Sequence, residues 1–294
     1  MRILVTGAAG QLGREVLRTA AARGAEALGL VRGEGFPGFA CVQADLTDAC
    51  ALRQVMEDLR PDAVINCAAW TAVDAAEAPE NRDAVWAVNS AAVWTLAMLC
   101  RAQDARLIQV STDYVFGRTD DVPILPEDRP APLSEYGKSK LEGERAAALC
   151  ENSAVVRTSW LFGEGKNFVR TMLHLGRTHE CLRVVSDQTG RPAYAPDLAA
   201  LLVEAAGAPV RGVLHAANEG PFVSRAAFAQ EIMRQAGLKT RIIPVTTAEY
   251  GPAAAGRPAN SRLSTDCLGQ AGLSRLPDWR DALSRYLAWE KDNG

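Results

Sequence analysis

The sequence predicts an α/β fold in which a doubly wound parallel sheet is joined to a smaller α/β domain. Three observations predict it. Short apolar strands alternate with helical patterns up to about residue 158. The first strand leads directly into a glycine-rich turn and a helix. The strand that begins at Ala63 is almost entirely apolar, which is typical of parallel sheets covered on both faces. We expect residues 1–158 to form the sheet domain and residues 159–294 mainly the second domain, with some of its segments returning to the sheet.

The composition excludes several classes of protein. The chain has 294 residues, of which 48% are hydrophobic and 23% charged, as in soluble globular proteins. A formal net charge of −3 gives no broad basic surface, so we expect no nucleic-acid partner. No apolar run approaches membrane-spanning length and no signal peptide precedes the first strand, so we expect no membrane partner and a cytoplasmic location. The seven cysteines form no C-x-x-C pair and are predicted to be buried free thiols.

The N-terminus carries a pattern typical of dinucleotide-binding Rossmann domains. The strand Arg2–Thr6 is followed by the glycine-rich turn Gly7–Gly13 and then by a helical pattern. Glycines let the backbone approach a pyrophosphate closely, and the helix N-terminus adds N–H groups and positive potential. The spacing is G-x-x-G-x-x-G, and the alternative is a glycine-rich turn that arose by chance. We predict that the cofactor binds at Gly7, Gly10, Gln11, Leu12 and Gly13.

The second strand, Ala27–Val31, should end over the adenosine ribose, and its last residues bear on the choice of cofactor. An acidic residue there would bond the 2′-OH of NAD, but this chain has Arg32. A guanidinium suits a 2′-phosphate, so the sequence favours NADPH, with NADH possible and a plain loop charge as the alternative. Asp45 could accept from the adenine amino group or cap the next helix. Four further residues are placed with the cofactor, namely Leu46, Ala68, Ala69 and Trp70.

The stretch Glu135–Lys140 places a tyrosine and a lysine on one helix face. We expect the ammonium of Lys140 to lower the pKa of Tyr136, which suits general acid–base catalysis. Alone, the pattern also fits a helix start with one snorkelling lysine. Thr112 follows a buried strand at the edge where α/β sheets bind ligands, although it could be a turn former. We predict that Thr112, Tyr136 and Lys140 are catalytic; Asn89 could bond backbone or hold a water near the lysine.

Together these features resemble the extended short-chain dehydrogenase/reductase family. Nearly the whole chain is similar to the dTDP-4-dehydrorhamnose reductase branch of that family. The glycine turn and the Tyr-x-x-x-Lys pattern are shared by the whole superfamily, whereas several other stretches are specific to this branch. The matching stretches are Gly7–Gly13, Asn66–Asp74, Ser111–Phe116, Tyr136–Glu144, Arg157–Gly163, Val185–Gly190 and Arg257–Ser261.

The resemblance implies a reductase that acts on the C4 carbonyl of a nucleotide-linked 4-keto sugar. Tyr136 would donate a proton to the carbonyl oxygen, Thr112 would hydrogen-bond it, and Lys140 would hold the nicotinamide ribose. Arg257 would meet the diphosphate, with a plain surface charge as the alternative, and Trp160 could instead pack at a domain interface. The residues implied for the nucleotide-sugar pocket are Val73, Thr112, Asp113, Trp160, Asn167, Gln188, Arg257 and Asn260.

Other functions and assemblies stay open. A 4,6-dehydratase would need an Asp-Glu pair after the threonine, but Asp113 precedes Tyr114; C4 epimerisation is a further alternative. A non-catalytic NADP-binding regulatory subunit is the rival from another class, and the complete catalytic set argues against it. Some relatives dimerise through magnesium. Glu15 could contribute, but Ala193–Pro196 offers no matching acid, so we predict no metal and a monomer or homodimer.

Overall fold

The computed structural model describes residues 1–253 and 255–293. Its strands are β1 Arg2–Thr6, β2 Glu26–Val31, β3 Cys41–Gln43, β4 Ala63–Asn66, β5 Arg106–Thr112, β6 Ser153–Thr158, β7 Leu161–Phe162, β8 Cys181–Val185, β9 Thr189–Gly190, β10 Ala193–Tyr194, β11 Gly212–Ala216, β12 Val223–Ser224, β13 Arg241–Val245 and β14 Asn260–Ser261. Its helices are α1 Gln11–Ala22, α2 Ala49–Leu59, α3 Arg82–Trp86, α4 Ala92–Ala102, α5 Glu135–Ala147, α6 Phe168–Gly176, α7 Ala195–Gly207, α8 Arg225–Ala236, α9 Thr247–Tyr250, α10 Asp266–Gln270 and α11 Trp279–Asn293.

Across the described ranges, seven parallel strands form the central sheet in the order β11-β6-β5-β4-β1-β2-β3. From β1 the chain moves outward to β3 and then returns to place β4 on the other side of β1. The winding therefore reverses between β1 and β4, and this reversal opens a crevice beyond their carboxyl ends. The predicted doubly wound Rossmann-type α/β fold is confirmed.

Alternating side chains of β1 supply two separate apolar layers. Ile3 and Val5 pack with α1 and α7 on one face of the sheet, whereas Leu4 packs with α2 and α4 on the other. Successive residues of a strand point to opposite faces, so a strand between two helical layers must be apolar throughout. Each fully buried aliphatic side chain of this kind contributes about 1.5–3 kcal/mol of burial free energy.

A third core, rich in aromatic rings, lies in the C-terminal half of the chain. The rings of Phe162, Phe228 and Tyr286 are packed there, with the strands β8 and β13 paired in parallel beside them. The strand β11 lies in the same half of the sequence but pairs with β6 in the central sheet. The division of the chain at residue 158 stays a prediction.

Within the described residues, one helical stretch, Pro79–Ala102, is long and apolar enough to cross a membrane by length and composition alone. A π-helical turn at Ala87–Ala91 separates α3 from α4. The α4 side chains Val93, Leu96 and Cys100 are buried against the central sheet. Packing in the core therefore accounts for the apolar character of α4.

The seven cysteines, all of which lie in the described ranges, are free, as the sequence predicted. Their burial differs from the expectation. Cys100 and Cys150 are buried, whereas Cys50 and Cys181 are exposed. The exposed pair lies at the start of α2 and the start of β8, at the ends of elements where side chains face solvent.

Candidate active site

A cavity of about 1040 Å³ opens at the carboxyl ends of the central strands. Open α/β sheets bind their ligands at this edge, and the volume is that of a site for sizeable ligands. Side chains from both halves of the chain form its walls. The structure brings all of the predicted cofactor residues to these walls, namely Gly7, Gly10, Gln11, Leu12, Gly13, Arg32, Asp45, Leu46, Ala68, Ala69, Trp70, Tyr136 and Lys140.

The glycine turn is closed so tightly that two of its positions have no room for a side chain. Gly7 has φ +63°, and a Cβ there would lie 2.6 Å from the backbone nitrogen of Ala68. A Cβ on Gly13 would lie 2.3 Å from the carbonyl oxygen of Gly7. The side-chain nitrogen of Gln11 is buried at the cavity without a hydrogen-bond partner in the described chain. The closely packed backbone at the start of α1 and the unpaired amide donor of Gln11 together fit the pyrophosphate of a dinucleotide.

Charged side chains lie where the adenosine end of a dinucleotide would rest. Arg32 is exposed, lines the cavity and lies near the carboxylate of Asp45. Asp45 accepts hydrogen bonds from the backbone nitrogen of Thr47 at 2.8 Å and from its hydroxyl at 2.7 Å. These bonds, and then Arg32, lower the pKa of Asp45. The helix α2 is capped by Asp48 rather than by Asp45, so the capping alternative for Asp45 is wrong.

Thr112, Tyr136 and Lys140 converge on the cavity from two elements. Thr112 ends β5, while Tyr136 and Lys140 lie one turn apart on α5. The hydroxyl of Ser134 caps α5 by accepting from the backbone nitrogen of Gly137 at 3.1 Å. The side chain of Thr112 lies near enough to the phenol of Tyr136 to lower its pKa, against the larger effect of burial. The structure therefore assembles the three predicted catalytic side chains at one point.

The pKa of Tyr136 differs from the expectation. Burial raises this pKa above its ordinary value, and the side chain of Thr112 offsets the effect only in part. The ammonium of Lys140 donates to the carbonyl oxygen of Val110 at 2.7 Å. Burial also lowers the pKa of Lys140, to about 8. The phenol thus stays protonated at neutral pH, which suits a proton donor.

Asn89 lies in the π-helical turn between α3 and α4, and its amide bonds protein groups on both sides. Its oxygen accepts from the backbone nitrogen of Trp70 at 2.8 Å. Its nitrogen donates to the carbonyl of Trp70 at 3.2 Å and to the hydroxyl of Ser139 at 3.0 Å. Of the two roles considered for Asn89, which were bonding the backbone and holding a water near Lys140, the structure shows bonding to the backbone. Asn89 ties the loop after β4 to the catalytic helix, so it helps to position Lys140.

Comparisons with known proteins agree with this geometry. The family model described as RmlD substrate binding domain matches residues 1–291. The chain belongs to this family. A dTDP-4-dehydrorhamnose reductase of Mycobacterium tuberculosis is 43% identical over 98% of this chain and 92% of its own length.

Two crystal structures of proteins named dTDP-4-dehydrorhamnose reductase are also similar to this RmlD-family chain. The protein from Clostridium acetobutylicum has a TM-score of 0.91 and 37% identity, with 99% of this chain and 100% of that chain covered. The protein from Bacillus anthracis, in complex with NADP, has a TM-score of 0.87 and 32% identity, with 98% and 99% covered. The similarity therefore spans both the sheet and the C-terminal core.

The predicted substrate residues of this RmlD-family chain divide into two groups. Four of them line the cavity, namely Val73, Thr112, Asp113 and Trp160. The other four are absent from its described walls, namely Asn167, Gln188, Arg257 and Asn260.

Asn167 and Asn260 have structural roles. Asn167 caps α6, and its amide nitrogen donates to the carbonyl oxygen of Gly163 at 2.6 Å. The amide nitrogen of Asn260 donates to Asp120 at 3.0 Å and to the carbonyl oxygen of Val122 at 2.8 Å. Both amides are buried and bonded to protein partners, and their contact with the substrate stays a prediction.

Gln188 and Arg257 lie outside the cavity in different ways. Gln188 is buried and donates to the hydroxyl of Thr247 at 3.2 Å. Arg257 is partly exposed at the rim, where it donates to the hydroxyl of Tyr114 at 3.3 Å and to Asp74 at 2.7 Å. Tyr114 itself lines the cavity, so Arg257 lies one side chain away from it.

The sequence reasoning missed Arg225, the first residue of α8, which lines the cavity. Its guanidinium carbon lies 3.8 Å from the centre of the Trp160 ring and 5.3 Å from that of Phe168. An arginine at a helix start is common on protein surfaces, and nothing in its local sequence indicates a cavity. Two further wall residues that were missed, Glu164 and Lys166, follow β7.

The residues of the described ranges include no group of three or more histidine, cysteine, aspartate or glutamate side chains that could hold a metal ion. Glu15, the acid that the resemblance suggested, forms an ion pair with Arg18. The expectation of no metal stays a prediction.

Proposed function

We propose that this protein reduces the C4 keto group of dTDP-4-dehydrorhamnose to give dTDP-L-rhamnose, with NADPH as the reductant. One observation carries the proposal: Thr112, Tyr136 and Lys140 meet in the cavity that the glycine turn opens. The names of the relatives give the sugar, since proteins that are 38–43% identical over nearly the whole chain are called dTDP-4-dehydrorhamnose reductase.

In this proposal the protein acts on the carbonyl oxygen. Tyr136 donates its proton to that oxygen, and its raised pKa keeps the proton available at neutral pH. Thr112 hydrogen-bonds the same oxygen. Once the Thr112 hydroxyl turns from Asp113 to the substrate, two donors meet the point where negative charge develops and stabilise the transition state more than the ground state. Lys140 holds the nicotinamide ribose at the base of the site.

Bound NADPH supplies the hydride that reduces C4. The backbone of the turn between Gly7 and Gly13 cradles the pyrophosphate, and the buried amide nitrogen of Gln11 donates to it. Arg32 binds the 2′-phosphate through its planar guanidinium. The NADP named in the Bacillus anthracis structure supports this choice of cofactor.

NADPH oxidation tests the proposal. The purified protein is mixed with dTDP-4-dehydro-6-deoxy-L-mannose, or separately with its C3 or C5 epimer, and the loss of NADPH absorbance is followed. We expect oxidation with the L-manno compound and dTDP-L-rhamnose as the product by NMR. Epimerised sugar without net NADPH consumption would identify an epimerase instead. Binding of NADPH with no turnover of any of the three sugars would favour the regulatory-subunit alternative. A cytoplasmic location and a monomer or homodimer stay predictions.

A further inference from the structure

Arg225 presents a fixed guanidinium to the cavity. Stacking on Trp160 holds its plane, and Ser224 caps the helix that carries it. The nearby charges of Asp113 and Arg257 act on it, but within residues 1–253 and 255–293 it donates no side-chain hydrogen bond. A cation held by aromatic stacking keeps its donors in one orientation at little further entropic cost. These donors are therefore available to a ligand.

Asp113 supplies an acceptor at the same wall. Its side chain is only 3% exposed. One carboxylate oxygen accepts from the hydroxyl of Thr112 at 3.1 Å. The other oxygen is buried and meets no donor at full hydrogen-bonding distance in the described part of the chain, although the hydroxyl of Ser261 approaches the carboxylate as a weak donor and the charge of Arg225 acts on it. An orphaned buried acceptor beside unused donors is costly without a ligand, by about 1–3 kcal/mol.

Both side chains line the cavity and form no direct ion pair among the described residues, so the cavity space in front of them is open to a ligand group. A hydroxyl group fits this space, because it accepts from a guanidinium and donates to a carboxylate at once. A phosphate does not fit it, since the carboxylate would repel a second anion. This arrangement favours a sugar hydroxyl over the diphosphate as the ligand group at Arg225.

We propose that Arg225 determines substrate specificity by donating to the hydroxyl on the sugar carbon next to the one reduced, while Asp113 accepts from the same hydroxyl. The inference rests on the proposed function, in which Thr112 holds the oxygen on C4. The carboxylate of Asp113 lies 3.1 Å from the hydroxyl of Thr112, so the sugar group beside Asp113 is placed on a carbon next to C4. C5 carries no free hydroxyl in a pyranose ring, which leaves the hydroxyl on C3.

A double-mutant-type cycle, which combines one protein variant with one substrate analogue, tests this assignment. Wild type and Arg225→Gln are each assayed with dTDP-4-dehydrorhamnose and with its 3-deoxy analogue. We expect Arg225→Gln to lower kcat/KM for the hydroxylated sugar roughly 10- to 100-fold, the usual effect of losing a hydrogen bond from a charged donor. The 3-deoxy sugar should lose less than about threefold, since the interaction is already missing there. Equal losses for the two sugars would overturn the proposal.

Two control variants accompany the cycle. Arg234→Gln removes an arginine from the exposed side of the same helix, where it pairs with Glu231, and should leave both sugars unaffected. Arg225→Lys keeps the charge without the planar donors, and should recover only part of the preference for the hydroxylated sugar. Thermal unfolding of each variant excludes general destabilisation as the cause.

Calorimetry provides a readout that does not need turnover. With NADP⁺ present, Arg225→Gln should weaken the binding of dTDP-L-rhamnose about tenfold or more and leave the binding of dTDP unchanged. Weaker dTDP binding would assign Arg225 to the diphosphate and refute the proposal. A wild type that binds dTDP-L-rhamnose in an Arg225-dependent way but does not reduce the keto sugar would refute the proposed reaction alone.

Discussion

Burial and the neighbouring Tyr114 keep the proton on Tyr136, whereas Thr112 acts in the opposite direction. The Tyr114 ring meets the Tyr136 ring edge-on, with the ring centres 5.4 Å apart. We predict that Tyr136→Phe lowers kcat roughly 10²- to 10⁴-fold, the usual range for a general acid, because no other phenol takes over its place beside Thr112. NADPH binding, measured by fluorescence titration, should stay within about twofold of wild type.

The matched control for this variant is Tyr250→Phe, which removes a phenol that is 60% exposed on α9. Turnover of the control should equal that of wild type. If Tyr136→Phe also kept wild-type turnover, Tyr136 would not be the proton donor.

Arg32 provides the second test at the scale of one residue. We predict that Arg32→Ala weakens NADPH binding roughly tenfold or more, since hydrogen bonds to charged groups contribute about 1.5–3 kcal/mol. NADH lacks the 2′-phosphate and should lose little. Titration of both cofactors measures the difference, with Arg53→Ala on the exposed side of α2 as control. Equal losses for NADPH and NADH would remove Arg32 from the 2′-phosphate site.

Residues whose roles depend on local spacing could be predicted from the sequence, and residues whose roles depend on distant partners could not. Gly7 and Gly13 belong to one turn, and Tyr136 and Lys140 to one helix, so their spacing alone brings them together. Arg225 meets Trp160 only because the chain returns to the cavity after the central sheet is nearly complete. No sequence pattern shows that return.

At the scale of elements, the catalytic helix depends on the cap at its first turn. Ser134 is buried, so its loss leaves the backbone N–H of Gly137 without a partner. We predict that Ser134→Ala lowers the free energy of unfolding by about 0.5–2 kcal/mol and also lowers kcat/KM, because Tyr136 lies in that turn. Urea unfolding and steady-state kinetics measure the two effects.

Asp48→Ala is the matched control, since Asp48 caps α2, which packs on the same face of the sheet as α5 but has its cap outside the cavity walls. It should cost a similar free energy of unfolding and leave kcat/KM unchanged. A similar loss of kcat/KM in both variants would show that general stability, rather than the position of the α5 turn, governs the rate.

Element types could be predicted well because periodicity reports burial directly. Around the active site, the apolar residues 107–110 predict a strand and the pattern over residues 134–149 predicts a helix, and the structure has β5 at Arg106–Thr112 and α5 at Glu135–Ala147. The apolar residues 63–69 predict a strand through Ala69, but β4 ends at Asn66. The side chain of Asn66 there bonds Thr6 and Gln109 on the neighbouring strands, and the chain then turns to form the cavity wall.

At the scale of the whole molecule, a buried polar network links the catalytic helix to the far edge of the central sheet. Glu144 accepts from the hydroxyl of Ser111 and pairs with Arg157, which also contacts His215 at 3.4 Å. The other ring nitrogen of His215 faces the carbonyl oxygen of Ile124 at 3.2 Å. Burial, and then Arg157, lower the pKa of His215 from 6.5 to about 3. His215 is therefore folded into the sheet as a neutral ring.

This depressed pKa predicts how stability changes with pH. As the pH falls below about 6.5, the unfolded chain binds a proton at His215 that the folded chain does not bind until about pH 3. The free energy of unfolding should therefore fall by about 1.4 kcal/mol per pH unit from this group alone. Urea unfolding at pH 7, 6 and 5 measures the slope.

His215→Gln removes the titrating group and serves as the comparison. Its slope between pH 6 and 5 should be shallower than that of wild type by about 1.4 kcal/mol per pH unit, whatever its stability at pH 7. Parallel slopes for the two proteins would show that His215 is not kept neutral by the fold.

The five residues of β1 determine which side chains enter each of the two apolar layers. Ile3 and Val5 serve one apolar layer and Leu4 the other, and Gly7 follows almost at once. An insertion of one residue before Leu4 would move the β1 side chains on one side of it to the opposite apolar layer. It would also displace the glycine turn relative to the neighbouring strand β4. Natural insertions and deletions should therefore occur in surface loops, whereas β1 can accept substitutions but no change in its number of residues.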